Sequence, residues 1–184
     1  MFAKEMVKQS LPLIVFCGLG AVVAGSTLGV MIDLLRKIPG LIVVVPAIIA
    51  LRGNISTAFG SRLGSAYHLG IIGKDNLWNE ELKQNILGSF ILSLFVSIII
   101  GLLAYLTSFI FGVYPDAVKL ISIVILAGII SAVILNLMTI AIIYLVFKRG
   151  YDPDNITGPA LATFGDIVTM LSLFGSAFLI EVLL

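Results

Sequence analysis

The sequence predicts an all-α integral membrane protein with about five transmembrane helices in each chain. Of its 184 residues, 60% are hydrophobic and only 11% are charged, whereas soluble domains are closer to half apolar and a quarter charged. The mean hydropathy is +1.18, and apolar runs of about 20 residues, long enough to cross a bilayer, recur along the chain. The net charge of +1 provides no charged field for nucleic acid. We therefore expect membrane lipid, and no nucleic acid, among its partners.

The first apolar segment, residues 11–32, is long enough to span a bilayer. Small residues recur in it at every fourth position, which lets two membrane helices approach closely. These residues are Cys17, Ala21, Gly25 and Gly29. We interpret them as a packing face, and the single cysteine excludes an internal disulfide.

The second apolar segment is interrupted. After the polar turn at residues 33–40, its apolar part contains Pro46 and lasts only about 14 residues, too short to cross the membrane. It ends at Arg52-Gly53-Asn54, and residues 55–69 are amphipathic. This pattern predicts a helix broken near Gly53-Asn54 that lines a cavity. The alternative is an ordinary helix that leaves the bilayer at Arg52, whose side chain reaches the interface.

The third and fourth segments, residues 82–111 and 117–147, are long apolar helices. The third carries a second set of small residues at four-residue spacing, which predicts another close-packing face. These residues are Ser89, Ser93, Ser97 and Gly101. In the fourth, Asn136 lies near mid-membrane and is expected to hydrogen-bond to another helix. The alternative makes Asn136 a ligand for a passing ion.

The last segment begins with a polar turn at residues 152–159 and continues as a helix to residue 184. Asp166 lies about two turns into its apolar part, where a lone carboxylate is costly and marks a functional site. The turn contains Asp152, Asp154 and Asn155 but lacks the glycine and distal glutamate of a calcium loop. We interpret these three residues as a cytoplasmic vestibule that concentrates cations.

Four residues share a helix face with Asp166 at offsets of three or four positions. They are Ala162, Thr163, Thr169 and Met170, and the two threonines, which can hydrogen-bond beside the carboxylate, are expected to line the ion pathway. A single aspartate supplies too few oxygens for a dehydrated divalent cation, but Mg²⁺ sheds its waters reluctantly and often needs only one or two carboxylates. Two copies of Asp166 across a twofold axis, with backbone carbonyls and water, would suffice. The alternative is a structural pair between Asp166 and Arg52.

Five spans place the two termini on opposite sides of the membrane. With the N-terminus inside, the cytoplasmic ends hold more basic residues than the outer ends. The cytoplasmic set is Lys4, Lys8, Arg62, Lys74, Lys83, Lys148 and Arg149, and the outer set is Arg36, Lys37 and Lys119. We predict a cytoplasmic N-terminus and an external C-terminus.

Enzymatic activity is not predicted. The sequence has no His-Glu-x-x-His motif, no Gly-x-Ser-x-Gly elbow and no phosphate-binding loop. Its only histidine, His68, is interpreted as an interfacial polar residue. No nucleophile with a neighbouring base can be named.

Two stretches carry a family resemblance. Residues 46–54, Pro-Ala-Ile-Ile-Ala-Leu-Arg-Gly-Asn, followed by Ser-Arg-Leu at 61–63, resemble the signature of MgtE-type magnesium transporters. The match is closer to their eukaryotic solute-carrier relatives, which have a basic residue before Gly-Asn. Residues 152–156, Asp-Pro-Asp-Asn-Ile, followed by Gly165-Asp166, resemble the second signature. The resemblance covers the whole chain.

The resemblance implies a channel or transporter for Mg²⁺, or a related divalent cation, in the cell membrane. A homodimer would form one pore on its axis, with Asp166 and the Ala162 carbonyl at the central ion site and Gly53 and Asn54 along the pathway. Residues 1–184 would form one MgtE-like transmembrane domain without a soluble sensor domain. The bacterial Gly-Asn-Ala-Gly run is replaced here by Gly-Asn-Ile-Ser.

Two other functions stay open at this point. Asp166 is also suited to relay protons in a proton- or sodium-coupled carrier for another substrate. The small-residue faces would alternatively serve a membrane subunit that assembles with other proteins and transports nothing.

Overall fold

The part of the chain that the structure describes folds into helices joined by turns, which confirms the all-α prediction. This computed structural model describes residues 2–73, 76–149 and 153–184, and the side chains of residues 2–6, 8–10, 13, 147 and 153–156 lie outside its description. The helices are α1 (Phe2–Val30), α2 (Ile32–Lys37), α3 (Leu41–His68), α4 (Glu80–Ile110), α5 (Ala117–Lys148) and α6 (Pro153–Leu183).

Within these described residues, four helices are long and apolar enough to cross a membrane. The four segments are Leu41–His68, Glu80–Ile110, Ala117–Val146 and Thr157–Leu183. The described apolar part of α1, Ile14–Val30, is shorter than a full span. The structure therefore supports an integral membrane protein, and the fifth span through α1 stays a prediction.

The predicted break in the second apolar segment is wrong. α3 is one helix of 28 residues that continues through Pro46, Gly53 and Asn54. Pro46 lies in the second turn, so the acceptor that it leaves unpaired is near the helix start, at the Ile42 carbonyl. At the expected break, the Thr57 hydroxyl lies 2.9 Å from the Gly53 carbonyl oxygen and 3.1 Å from that of Asn54. The helix therefore continues unbroken through the residues where the sequence suggested that it would open.

Two predicted turns are also partly helical. The turn at residues 33–40 contains the last residues of α2, and most of the turn at residues 152–159 belongs to α6, which begins at Pro153. Proline is favoured in the first turn of a helix because its missing N–H would have no partner there. α4 begins two residues earlier than predicted because the Asn79 side chain accepts a 3.0 Å hydrogen bond from the Leu82 N–H.

α3, α5 and α6 pack against one another, α1 packs against α6, and α4 packs against α3 and α5. Two apolar clusters form the interior. On α3 the first cluster includes Leu41 and Ile48, and the second includes Phe59 and Leu63. Buried polar residues lie between the two clusters on α3, α4 and α5, and we call them the polar layer. Its members are Arg52, Ser56, Ser89, Ser93, Ser97, Ser131, Asn136 and Thr139.

The serine-rich face of α4 is a close-packing face, as predicted, and the helix that it meets is α5. All four of its small residues are buried. A Cβ placed on Gly101 would lie 3.2 Å from the Ile121 Cα atom, and one on Gly128 would overlap the Ser97 side chain. Small residues on both helices are therefore required for this close approach.

Candidate functional site

Asp166 lies on α6 beside a cleft of about 160 Å³. The cleft lies between α1, α3 and α6, and its other walls are apolar, including Ala21, Gly25, Val45 and Ile49. Asp166 is partly buried, and its carboxylate has no hydrogen bond or ion pair with any described residue. Both carboxylate oxygens are therefore available to a ligand that enters the cleft.

The expected small-residue face of the first segment makes few contacts inside this chain. A Cβ on Gly25 or Gly29 would meet no atom within 4 Å, and the close contact to α6 is made by Gly20. A Cβ on Gly20 would overlap the Thr163 methyl group. Ala21 and Gly25 instead leave room for the cleft.

Thr163 serves helix packing in this structure. Its side chain is 6% exposed, its methyl group faces Gly20, and its hydroxyl donates a 3.0 Å hydrogen bond to the Pro159 carbonyl. The Cys17 thiol donates to the same carbonyl across 3.6 Å. Thr163 thus joins α1 to α6 one turn before Asp166.

The two stretches that resemble a family signature meet where α3 crosses α6. A Cβ on Gly165 would lie 4.0 Å from the Gly53 Cα atom, so the backbones approach closely next to Asp166. Further along the crossing, a Cβ on Gly60 would lie only 2.7 Å from the Leu161 side chain. Glycines at these positions bring the Gly53-Asn54 pair and Asp166 into one region, although they are more than a hundred residues apart in sequence.

Asn54 does not share the Asp166 cleft. It borders a second cleft of about 190 Å³ between α3 and α4, together with Arg62, Asn85 and Ser89. Asn54 is exposed and belongs to a stripe of small and polar side chains along the outer face of α3. We call this set the α3 stripe, and it consists of Ala47, Ala50, Asn54, Ala58, Ser61 and Ser65.

The other predicted site residues are buried in the protein, exposed on α6, or outside the described part of the chain. The Asn136 side-chain oxygen accepts a 2.9 Å hydrogen bond from the Ser89 hydroxyl, which confirms the expected bond between helices. Thr169 is fully buried and its hydroxyl has no partner in the described structure. Ala162, one turn before Asp166, is exposed. Asp152 lies outside the described residues, as do the side chains of Asp154 and Asn155.

Arg52 matches neither of the two positions that the sequence suggested, at the membrane interface or paired with Asp166. It is 1% exposed, so its side chain does not reach the membrane surface. It forms no pair with Asp166, because the ion pairs in the described structure join other residues. Its Nη1 atom donates to the Ser93 hydroxyl on α4. The four-residue spacing of the serines was visible in the sequence, but nothing there indicated this bond.

The described residues contain no group of three or more His, Cys, Asp or Glu side chains that could hold a metal ion. Asp166 is the acidic residue among those that line the cleft between α1, α3 and α6. A fully coordinated divalent cation needs more oxygens than one carboxylate provides. Backbone carbonyls, water or a second copy of the chain must complete any such site.

Residues 45–176 match the family model MgtE, described as a divalent cation transporter. The chain is 28% identical over 175 residues to human solute carrier family 41 member 2, and this alignment covers 90% of this chain and 30% of that protein. It is 27% identical over 177 residues to rat solute carrier family 41 member 3, covering 90% and 37% respectively. The chain thus spans about a third of the length of these curated relatives.

Proposed function

The chain belongs to the MgtE family of divalent cation transporters, and we propose that it moves a divalent cation, Mg²⁺ foremost, through a pathway centred on Asp166. The observation that carries this proposal is the Asp166 carboxylate. It lies on a helix long and apolar enough to span a membrane, borders a cleft between helices, and has no hydrogen-bond or ion-pair partner among the described residues. An intramembrane carboxylate without a counter-charge is a functional site by default. Transport also agrees with the absence of any recognisable catalytic motif in the sequence.

We propose that two copies of the chain form one pathway. Two Asp166 carboxylates, two Ala162 carbonyls and retained waters supply enough oxygens for the octahedral shell of Mg²⁺. The α3 stripe supports this arrangement. Its small and polar side chains offer lipid few favourable contacts, so this face of α3 is suited to contact a second chain or water. Asn54, a member of the stripe, and Gly53, which approaches Gly165 next to Asp166, would then both lie along the pathway.

The proposed topology places α1 in the membrane as a fifth span, in the cell membrane, with the N-terminus in the cytoplasm. α1 packs against α6 through Gly20 and Thr163, which supports a position for α1 at the depth of the Asp166 cleft. The excess of basic residues at the cytoplasmic ends supports this orientation. The vestibule residues Asp152, Asp154 and Asn155 would then lie at the cytoplasmic mouth.

The test is Mg²⁺ flux into proteoliposomes that contain wild type or Asp166→Ala. We expect flux in the wild type and a fall to the level of empty liposomes in the variant. Asp33→Ala is the matched control, since it removes a carboxylate whose side chain is 83% exposed, and it should retain flux. Size-exclusion chromatography should show that all three proteins stay folded and dimeric.

Equal flux in wild type and Asp166→Ala would overturn the central site. A flux that follows an imposed pH gradient when no divalent cation is present would instead favour the proton relay. Monomeric wild type with full flux would overturn the shared pathway while leaving the Asp166 site in place.

A further inference from the structure

A buried positive charge in the polar layer has no counter-charge in the described structure. Arg52 is 1% exposed and lies about 16 Å from the start of α3, near the middle of the span. The described ion pairs are Arg36–Asp33, Lys83–Glu80 and Lys119–Glu181. An unpaired charge at this depth is strongly unfavourable unless something compensates it.

One edge of the Arg52 guanidinium is unused. Nη1 donates to the Ser93 hydroxyl, whereas Nε and Nη2 are buried without a partner. These two nitrogens direct N–H groups along the same edge of the planar group, a fork that binds a single anionic acceptor through two hydrogen bonds. One turn further along the same face of α3, the Ser56 hydroxyl is also buried and unpartnered.

The neighbouring polar groups are already engaged. The Ser93 hydroxyl donates to the Ser89 carbonyl across 2.6 Å, and the Ser89 hydroxyl donates to the Asn136 side-chain oxygen. The layer therefore supplies unused donors at Arg52 and Ser56 but no anionic acceptor for them. A ligand with one negative charge would match the single positive charge of Arg52, whereas a dianion would leave an excess.

We propose that Arg52 and Ser56 form a binding site for one small monovalent inorganic anion, chloride being the common physiological example, inside the helix bundle between α3 and α4. The anion accepts hydrogen bonds from Nε and Nη2 of Arg52 and from the Ser56 hydroxyl. It neutralises the guanidinium within the polar layer. This site stands independently of the proposed cation pathway, because it rests on different side chains.

The test is thermal unfolding of the purified protein in detergent, with sodium chloride, bromide or gluconate at constant ionic strength. Chloride and bromide should raise Tm by about 3–5 °C for each tenfold increase above Kd, and gluconate should have no such effect. Arg52→Met should abolish the halide dependence while the protein stays folded, since replacing a buried charge by an apolar side chain is often tolerated. Ser56→Ala should weaken the halide dependence of Tm.

Arg62→Met is the matched control, because Arg62 is on the same helix but exposed, and it should keep the full halide response. An equal Tm in chloride and gluconate for the wild type would overturn the site and leave water as the partner of Arg52. A halide response that persists in both Arg52→Met and Ser56→Ala would overturn it too. If Arg52→Met fails to fold, bromide located by anomalous scattering in wild-type crystals decides the question.

Discussion

The outer faces of α3 and α4 differ although the two helices are neighbours of similar length. The α3 stripe presents alanine, asparagine and serine, whereas α4 exposes large apolar side chains along its length. The exposed α4 residues include Leu87, Ile91, Leu92, Phe95, Ile99 and Leu103. Large apolar groups match lipid chains, while small and polar groups suit a protein or aqueous neighbour. The contrast favours lipid at the α4 face and supports our proposal that the α3 stripe meets the pathway or a second copy.

The largest expected effect comes from placing on the α3 stripe a large apolar side chain of the kind that α4 exposes. Ala58→Leu places a bulky side chain on the α3 stripe one turn from Asn54, and crowding of about 1–3 kcal/mol at a packed contact corresponds to about a 5- to 150-fold loss. We expect Mg²⁺ flux in proteoliposomes to fall by that factor. Ile91→Ala, which makes the opposite change on α4, should keep flux close to wild type. Equal effects of the two changes would remove the functional distinction between the faces.

One glycine on each of the same two helices gives a second contrast, in stability. A Cβ on Gly60 of α3 would lie 2.7 Å from the Leu161 side chain, whereas one on Gly88 of α4 would meet nothing within 4 Å. Gly60→Val should therefore lower the free energy of unfolding by about 1–3 kcal/mol. Thermal unfolding in detergent measures this loss. Gly88→Val is the control and should change Tm little, so a similar loss in both would contradict the close α3–α6 crossing.

The smallest effect is expected in the polar layer. Ser89→Ala removes the 2.9 Å hydrogen bond to Asn136, and such bonds between membrane helices contribute about 0.6 kcal/mol on average. A double-mutant cycle with Asn136→Ala measures the coupling directly. A coupling of zero would mean that α4 and α5 are held by their small-residue contact alone.

Local sequence rules predicted the helices but not every boundary. Long apolar runs determine α4, α5 and α6 because a bilayer favours helices in which every backbone group is paired. The same rules failed at Gly53-Asn54, since Pro and Gly lower local helix stability without deciding the outcome. Contacts of α3 with α4, α5 and α6 favour a continuous helix here.

The candidate site was only partly predictable for a similar reason. A lone carboxylate in an apolar helix identifies Asp166 from the sequence, and a lone amide identifies Asn136 as a residue that needs a partner. Which atoms surround them depends on contacts between distant segments. The hydrogen bond from Arg52 to Ser93 and the separation of Asn54 from the Asp166 cleft required the tertiary structure.

The position of Arg52 also bears on how the chain enters the membrane during synthesis. An arginine at the centre of a helix opposes insertion by about 2.5–3.5 kcal/mol, and α3 is also less apolar than α4. The Ser93 hydroxyl that accepts from Arg52 is on α4, which emerges from the ribosome after α3. α3 is therefore expected to settle across the bilayer only once α4 has followed it, the two helices being integrated as a pair.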